Sequence, residues 1–276
     1  MPTRLTALDA TFLHLEDAGA HMHVAAVMTF DGIAPAYEDL VEAIEARLHL
    51  VPRYRQRLAF VPLGQGRPRW VDDPHFNAGY HIRHTALPAP GSDDELKRLA
   101  ARIFGQRLDR SKPLWELWLV EGLEGDRFAL LSKTHHALVD GVSGIDIVSI
   151  LFDVAPDPAP PPPPSTPWLP RPMPSSTQLL GEALVERTTV PGEALRGVRA
   201  LTRAPRQVAR NLAGGLAGVG AMAWAGLNPA PKSPLNVPIG PHRRYTWVDA
   251  DLSSFKAIKS ALGGTCLLYT SDAADE

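Results

Sequence analysis

The chain has 276 residues, with 28 basic and 30 acidic side chains and a formal net charge of −2 at pH 7. This balance argues against a dedicated nucleic-acid-binding protein, which is usually strongly basic. A hydrophobic content of 45% argues against wholesale disorder. The single cysteine, Cys266, excludes a disulfide framework and a CxxC site, and it fits the reducing cytoplasm. We find neither an N-terminal signal-peptide pattern nor an uncharged apolar run of about 20 residues, the length that spans a bilayer.

Strand and helix signals alternate over the first 155 residues. Apolar residues at helical spacing predict helices over 8–15, 37–50 and 142–154. Ser92 and the acidic residues after it cap a further helix that runs to about Gly105. Apolar and β-branched runs predict strands over 23–30, 69–71, 80–85, 115–121 and 127–134, the last two joined by a turn. This alternation predicts an α/β sandwich of two layers with mixed strand order.

Proline divides the chain, since 11 of the 19 residues from Pro156 to Pro174 are proline. Such a segment is typical of an extended polyproline linker. The last eleven residues, CLLYTSDAADE, resemble the translation of a sequencing adapter, and we expect them to be non-native. We therefore predict an N-terminal half-domain over 1–155, a proline-rich linker over 156–174, a basic and apolar helical linker over 175–235, the start of a second half-domain over 236–265, and a tail over 266–276.

The region after the proline-rich linker is basic, with no acidic residue from Ala194 to Val248. Five arginines recur there at steps of three and four, so on a helix they would form one stripe, which Pro205 interrupts: Arg196, Arg199, Arg203, Arg206 and Arg210. A basic amphipathic helix is typical of a membrane surface or an anion site, and a solvated helix that bridges two domains fits equally well. A strand over 245–251 and a helix over 253–262 follow.

The strongest chemical signal is the sequence HHALVDG, in which His135 and His136 close an apolar strand, with Asp140 and Gly141 after them. Adjacent strand residues point to opposite faces, so one histidine can face a cavity while the other supports the layer behind it. A neutral imidazole can activate a hydroxyl near neutral pH, and Gly141 permits a tight turn. The alternative is a purely structural turn, but this pattern at a strand–helix junction favours a catalytic base.

This HHxxxDG pattern resembles the motif of acyltransferases with the chloramphenicol-acetyltransferase fold, which include condensation domains and wax ester synthases. Other segments narrow the resemblance to the bacterial wax ester synthase/diacylglycerol acyltransferase family: LDATF over Leu8–Phe12, MHV over Met22–Val24, PLW over Pro113–Trp115 and LNVPIGPHRR over Leu235–Arg244. The similarity covers residues 5–265. It implies an essentially complete first half of that fold and a second half that is truncated before the family's Asn-Asp motif.

The resemblance implies an acyl-CoA-dependent O-acyltransferase that forms no covalent acyl-enzyme. His136 would be the general base for the hydroxyl of a diacylglycerol or a long-chain alcohol, and the alkoxide would attack the thioester. His135 would support His136, and Asp140, with Gly141, would hold the turn. The arginine stripe would contact a membrane or CoA.

We therefore expect acyl-CoA as a substrate, and neither a cofactor, nor a metal, nor a nucleic acid as a partner. A cytoplasmic protein bound peripherally to the inner membrane face or to lipid droplets fits these lipid substrates. Two alternatives stay open: a condensation-type acyltransferase that uses carrier-bound substrates, and an inactive fragment that binds lipid surfaces. Because we expect most of the second half to be missing, we also expect this chain alone to be inactive.

Overall fold

The structure, a computed structural model, describes residues 3–16, 19–138, 152, 167–185, 224, 240 and 242–262. The chain divides into two compact units, Met1–Arg243 and Arg244–Glu276. Several predicted features lie outside the described residues: Asp140, Gly141, nearly all of the helix over 142–154, the five arginines of the stripe, and the tail over 266–276.

The first unit is built on a four-stranded sheet in the order β2-β7-β6-β5. β5 and β6 run parallel, and the other neighbours are antiparallel. The prediction that the strands of residues 115–121 and 127–134 are neighbours is confirmed. The strands of this sheet are β2 (His23–Asp31), β5 (Ile82–Ala86), β6 (Trp115–Leu123) and β7 (Arg127–His135).

A smaller antiparallel sheet has the order β1-β4-β3, and its strands are β1 (Thr3–Arg4), β3 (Gln56–Ala59) and β4 (Arg69–Asp72). Only β4 was expected from the sequence. The other two have two and four residues, too few for an alternating pattern to be recognised.

The α-helices with described bounds are α1 (Ala7–Leu15), α2 (Tyr37–Glu45), α3 (Ala78–His81), α4 (Asp93–Phe104) and α6 (Leu252–Leu262), and α5 is described over 176–185. Two short 3-10 helices, Pro52–Arg55 and Pro62–Gly64, flank β3. α1, α4 and α6 confirm their predictions. The Thr6 side chain caps α1 by accepting a hydrogen bond from the backbone N–H of Asp9. At α4 the Glu95 carboxylate accepts one from the N–H of Ser92 at 2.8 Å, which completes a capping box.

Among the boundaries that differ from the predictions are the end of α2 and the start of β5. α2 ends at Glu45 and not at Leu50, because the chain then forms tighter turns that lead to Pro52. In one of them, the Leu50 N–H donates a hydrogen bond to the Arg47 carbonyl. β5 starts at Ile82 and not at Tyr80, because the Asn77 side chain caps the single turn of α3.

In the second unit, α6 is present but the predicted strand over 245–251 is wrong. Residues 244–251 have no ladder partner among the described residues of this unit. A strand requires a neighbour that satisfies its backbone groups, and alternation alone cannot supply one.

The main core of the first unit joins α1 and α2 to one face of the large sheet, through residues such as Leu13, Ile44, Leu117 and Leu130. A second, smaller cluster joins α5 to the small sheet, where Leu179 packs with Ala59 and Val71.

The segment ahead of α5 is fixed by an ion pair, since the Arg171 guanidinium binds the Asp72 carboxylate through Nε at 2.9 Å and Nη2 at 3.0 Å. Residues 167–185 therefore belong to the first unit, where they pack beside the small sheet.

Candidate active site

The histidine pair lies where β7 ends, and both of its backbone N–H groups are bonded to neighbouring segments. His135 donates to the Leu114 carbonyl at 2.9 Å, just before β6, and His136 donates to the Met22 carbonyl at 2.8 Å, just before β2. These two bonds hold the backbone of the pair from both sides. Two of the sequence segments that carried the family resemblance, MHV and PLW, thus meet at the histidines.

His135 is almost fully buried; its Nδ1 is hydrogen-bonded, whereas its Nε2 has no hydrogen-bond partner among the described atoms. Its Nδ1 accepts a hydrogen bond from the Ala137 N–H at 3.0 Å, so the neutral ring carries its proton on Nε2. That Nε2 lies 3.8 Å from Oε2 of Glu16. Burial lowers the pKa of His135 to about 4, although the Glu16 charge opposes this shift. The His135 imidazole is therefore neutral at pH 7.

His136 has a different environment. Its half-buried ring stacks on Phe12 of α1, with the ring centroids 4.0 Å apart and the planes inclined by 27°. Its Nδ1 is buried and has no hydrogen-bond partner among the described atoms. Each histidine of the pair therefore keeps one ring nitrogen without a hydrogen bond among the described atoms, but only His136 has a half-buried ring.

Glu16, directly after α1, lies at the centre of this site and was missed by the sequence analysis. Its side chain is 1% exposed. Arg110 donates to Oε2 through Nη2 at 2.6 Å and Nε at 3.0 Å, and Arg107 donates to it at 3.1 Å. Burial tends to raise the pKa of Glu16, but these hydrogen bonds outweigh it and hold the pKa below its usual value. Glu16 is therefore a buried carboxylate at pH 7.

Two further basic residues with buried side chains, His23 and Lys133, lie on the same face of the sheet as His135. His23 stands opposite His135 across the β2–β7 ladder, and its Nε2 lies 3.3 Å from Oε1 of Glu16. Burial and the nearby Lys133 charge lower the pKa of His23 to about 3. Lys133 is also buried, and its ammonium contacts three acceptors: the carbonyls of Ile103 and Gln106 and the carboxylate of Glu116.

Two clefts of the first unit are lined by residues other than the histidine pair. One has a volume of about 420 Å³ and is lined by Arg4, Arg67, Arg110 and apolar residues between α1 and α5. The other, of about 490 Å³, lies beside Asp72 and Trp168. Within the described ranges, no set of three His, Cys, Asp or Glu side chains is arranged to hold a metal ion. The candidate site is thus defined by its residues and not by either cleft.

The chain matches a family model described as the wax ester synthase/diacylglycerol acyltransferase catalytic domain over residues 5–266. It is 37% identical over 276 residues to a Mycobacterium tuberculosis protein named "Probable diacyglycerol O-acyltransferase tgs3", covering 94% of this chain and 96% of that protein. It is 42% identical over 151 residues to the M. tuberculosis protein named "Probable diacyglycerol O-acyltransferase tgs1", covering 54% of this chain and 33% of that one.

Among solved structures, the chain is similar to the wax ester synthase/diacylglycerol acyltransferase from Marinobacter aquaeolei VT8, with a TM-score of 0.57 and 29% identity. The match covers 95% of this chain and 56% of that one, so the chain spans about half of the Marinobacter protein and almost all of tgs3. The predicted α/β fold class is confirmed by this likeness.

Proposed function

This chain belongs to the wax ester synthase/diacylglycerol acyltransferase family, and on that premise we propose that it transfers a long-chain acyl group from acyl-CoA to a hydroxyl group. The acceptor is diacylglycerol, which gives triacylglycerol, or a long-chain alcohol, which gives a wax ester. The names of the mycobacterial relatives support the first acceptor, and the family description supports both.

In the proposed mechanism, the His136 imidazole takes the proton of the acceptor hydroxyl. The resulting oxygen nucleophile attacks the thioester carbonyl carbon, and the tetrahedral intermediate collapses with cleavage of the C–S bond. The imidazolium of His136 then returns its proton to the departing CoA thiolate, so that the base is restored. Acyl transfer in one complex requires no covalent acyl-enzyme.

The contrast between the two histidines carries this proposal. His135 is buried, its Nδ1 accepts a hydrogen bond from the backbone, and its pKa of about 4 makes it a poor base at neutral pH. His136 is half-buried, rests on an aromatic ring and has an unpartnered Nδ1. Of the two rings, only that of His136 combines partial exposure with an unpartnered Nδ1, and this combination supports its role as the base.

The test compares a full-length version of the protein with its His136→Ala variant, using radiolabelled acyl-CoA and either diacylglycerol or hexadecanol. We expect the substitution to reduce acyl transfer by roughly 10²- to 10⁴-fold, the usual contribution of a positioned base. The matched control is His14→Ala, because His14 is an exposed histidine of α1. Parent-like turnover by His136→Ala, or transfer only to a carrier-bound acceptor, would contradict the proposal. The expectation that the 276-residue chain alone is inactive stays a prediction, and the same assay on that chain tests it.

We propose that the protein works in the cytoplasm, at the surface of the inner membrane or of lipid droplets. The described residues include no helix with the length and apolarity to cross a bilayer. Diacylglycerol and its products reside in lipid phases, and the sequence of the arginine stripe supports peripheral contact with an anionic surface.

A further inference from the structure

Helix α1 supplies one contact to each histidine of the pair. Phe12 and Glu16 are four residues apart, hence one helical turn apart on the same side of α1. Phe12 stacks on the ring of His136, and Oε2 of Glu16 lies 3.8 Å from Nε2 of His135, so that the carboxylate acts on this nitrogen through its charge and not through a hydrogen bond. The Glu16 N–H donates to the Phe12 carbonyl at 3.2 Å, so the last turn of α1 fixes the two side chains relative to each other.

The ring of His135 connects Glu16 to the backbone that follows His136. Its Nδ1 holds the Ala137 N–H, and the Leu138 N–H donates to the His135 carbonyl at 2.8 Å. His136 lies inside this turn. Any change in the tautomer of His135 would break the bond to Ala137, because a protonated Nδ1 cannot accept a hydrogen bond.

The carboxylate of Glu16 is itself held in place. Arg110 binds both Oε2 and the Leu13 carbonyl, the latter at 2.8 Å, and Arg107 binds Oε2 as well. These cations keep the carboxylate charged although it is buried. A fixed negative charge beside Nε2 favours a proton on that nitrogen and disfavours a lone pair there.

We propose that Glu16 is a positioning residue for the acyl transfer: its carboxylate selects the Nε2–H tautomer of His135, and that tautomer holds the turn that orients His136. The kinetic consequence rests on the proposed function. The tautomer and its dependence on Glu16 do not, so the two can fail separately.

The first test needs no variant. In the full chain with ¹⁵N-labelled histidine, two-dimensional NMR at pH 7 distinguishes a protonated ring nitrogen from an unprotonated one. We expect the His135 signals to show an unprotonated Nδ1 and a protonated Nε2. A protonated Nδ1 on His135 would overturn the proposal.

The second test compares Glu16→Gln with Asp72→Asn, a matched control that removes another buried carboxylate bonded to an arginine, but away from the histidines. We expect Glu16→Gln to shift the ring signals of both His135 and His136 and to lower kcat by about 10- to 100-fold, the range found for groups that orient the histidine ligands of metal sites. The KM for acyl-CoA should change little, and Glu16→Asp should restore part of kcat. Asp72→Asn should leave the histidine signals in place.

Unchanged histidine signals in folded Glu16→Gln, or equal shifts in Asp72→Asn, would overturn the inference. If Glu16→Gln does not fold, the tautomer in the parent chain decides. If no acyl transfer is measurable, the NMR comparison still decides whether Glu16 sets the tautomer of His135, independently of the proposed function.

Discussion

At the level of single residues, two adjacent histidines differ because one backbone step moves a side chain from one face of a sheet to the other. His135 shares the face of Lys133, whose ammonium reaches the carbonyls at the end of α4, and His136 turns to Phe12 of α1. Alternation along β7 was enough to predict that the pair divides in this way. The degree of burial of each ring depends on α1, which is about 120 residues away in the sequence.

The two buried histidines make stability depend on pH. Burial lowers the pKa of His23 to about 3 and of His135 to about 4 from an ordinary 6.5. Below pH 6.5 the unfolded chain therefore binds protons that the folded chain does not, so stability is fully present above that pH and falls as the pH falls towards 4. We expect a loss of about 2–3 kcal/mol for His135 alone between pH 7 and 4.5, since one pKa unit is about 1.4 kcal/mol.

Urea unfolding at several pH values between 7 and 4.5 measures this dependence. His23→Gln removes one of the two titrating groups and should make the slope shallower. His14→Gln, at the exposed histidine of α1, should leave the slope as it is. Equal stability of the parent chain at pH 7 and pH 5 would contradict the buried neutral state of the two rings.

At the level of elements, the loop before α4 packs backbone to backbone against the end of β6. Gly91 has a φ of +75°, and a Cβ added there would lie 1.8 Å from the Gly122 carbonyl oxygen. Gly125, in the β6–β7 turn, has a φ of +77° but open space around it, with only Arg127 Nε at 3.8 Å. The two glycines therefore separate the cost of a left-handed backbone from the cost of a close approach.

We expect Gly125→Ala to destabilise the chain by about 1–2 kcal/mol, the penalty of the left-handed conformation. Gly91→Ala should cost clearly more, because the loop must also move away from β6. Chemical denaturation of both variants measures the difference. Equal midpoints would show that the approach of Gly91 to Gly122 is not tight in solution.

Elements with local signals were predictable from the sequence. α4 has a capping box at Ser92 and a glycine at its end, and β6 and β7 are long apolar strands that flank a turn. β1 and β3 were missed because they are short and exist only through their pairing with β4. The strand predicted over 245–251 failed for the same reason, since pairing is not a property of one segment.

At the level of the whole molecule, the candidate site also depends on contacts between residues that are distant in the sequence, and these could not be predicted. The histidine pair was found from its motif, but Arg107 and Arg110 lie 91 and 94 residues from Glu16 and meet it only in the fold. A signal for Glu16 was present, namely an acidic residue one turn after Phe12 at the end of an apolar helix. It could not be distinguished from an exposed helix end without knowledge of what packs there.

The proposed location predicts binding to lipid surfaces. Reversing the charge of Arg196, Arg203 and Arg210 should abolish sedimentation with anionic vesicles, because each arginine near such a surface contributes about 1 kcal/mol. Binding by the parent should also weaken as salt is added. The matched control reverses Lys97, Arg98 and Arg102 of α4 and should still sediment. If the parent chain does not sediment with the vesicles, or if the stripe variant sediments as the parent does, peripheral attachment through these arginines is refuted.

The buried ammonium of Lys133 has a consequence for the motions of the site. All three of its protons have acceptors, on Ile103, Gln106 and Glu116, and the side chain is 1% exposed. A reagent that acylates amines can reach Lys133 only while the end of β7 is detached from α4. The rate at which Lys133 is modified therefore measures how often this end of β7, which carries the histidine pair, opens to water.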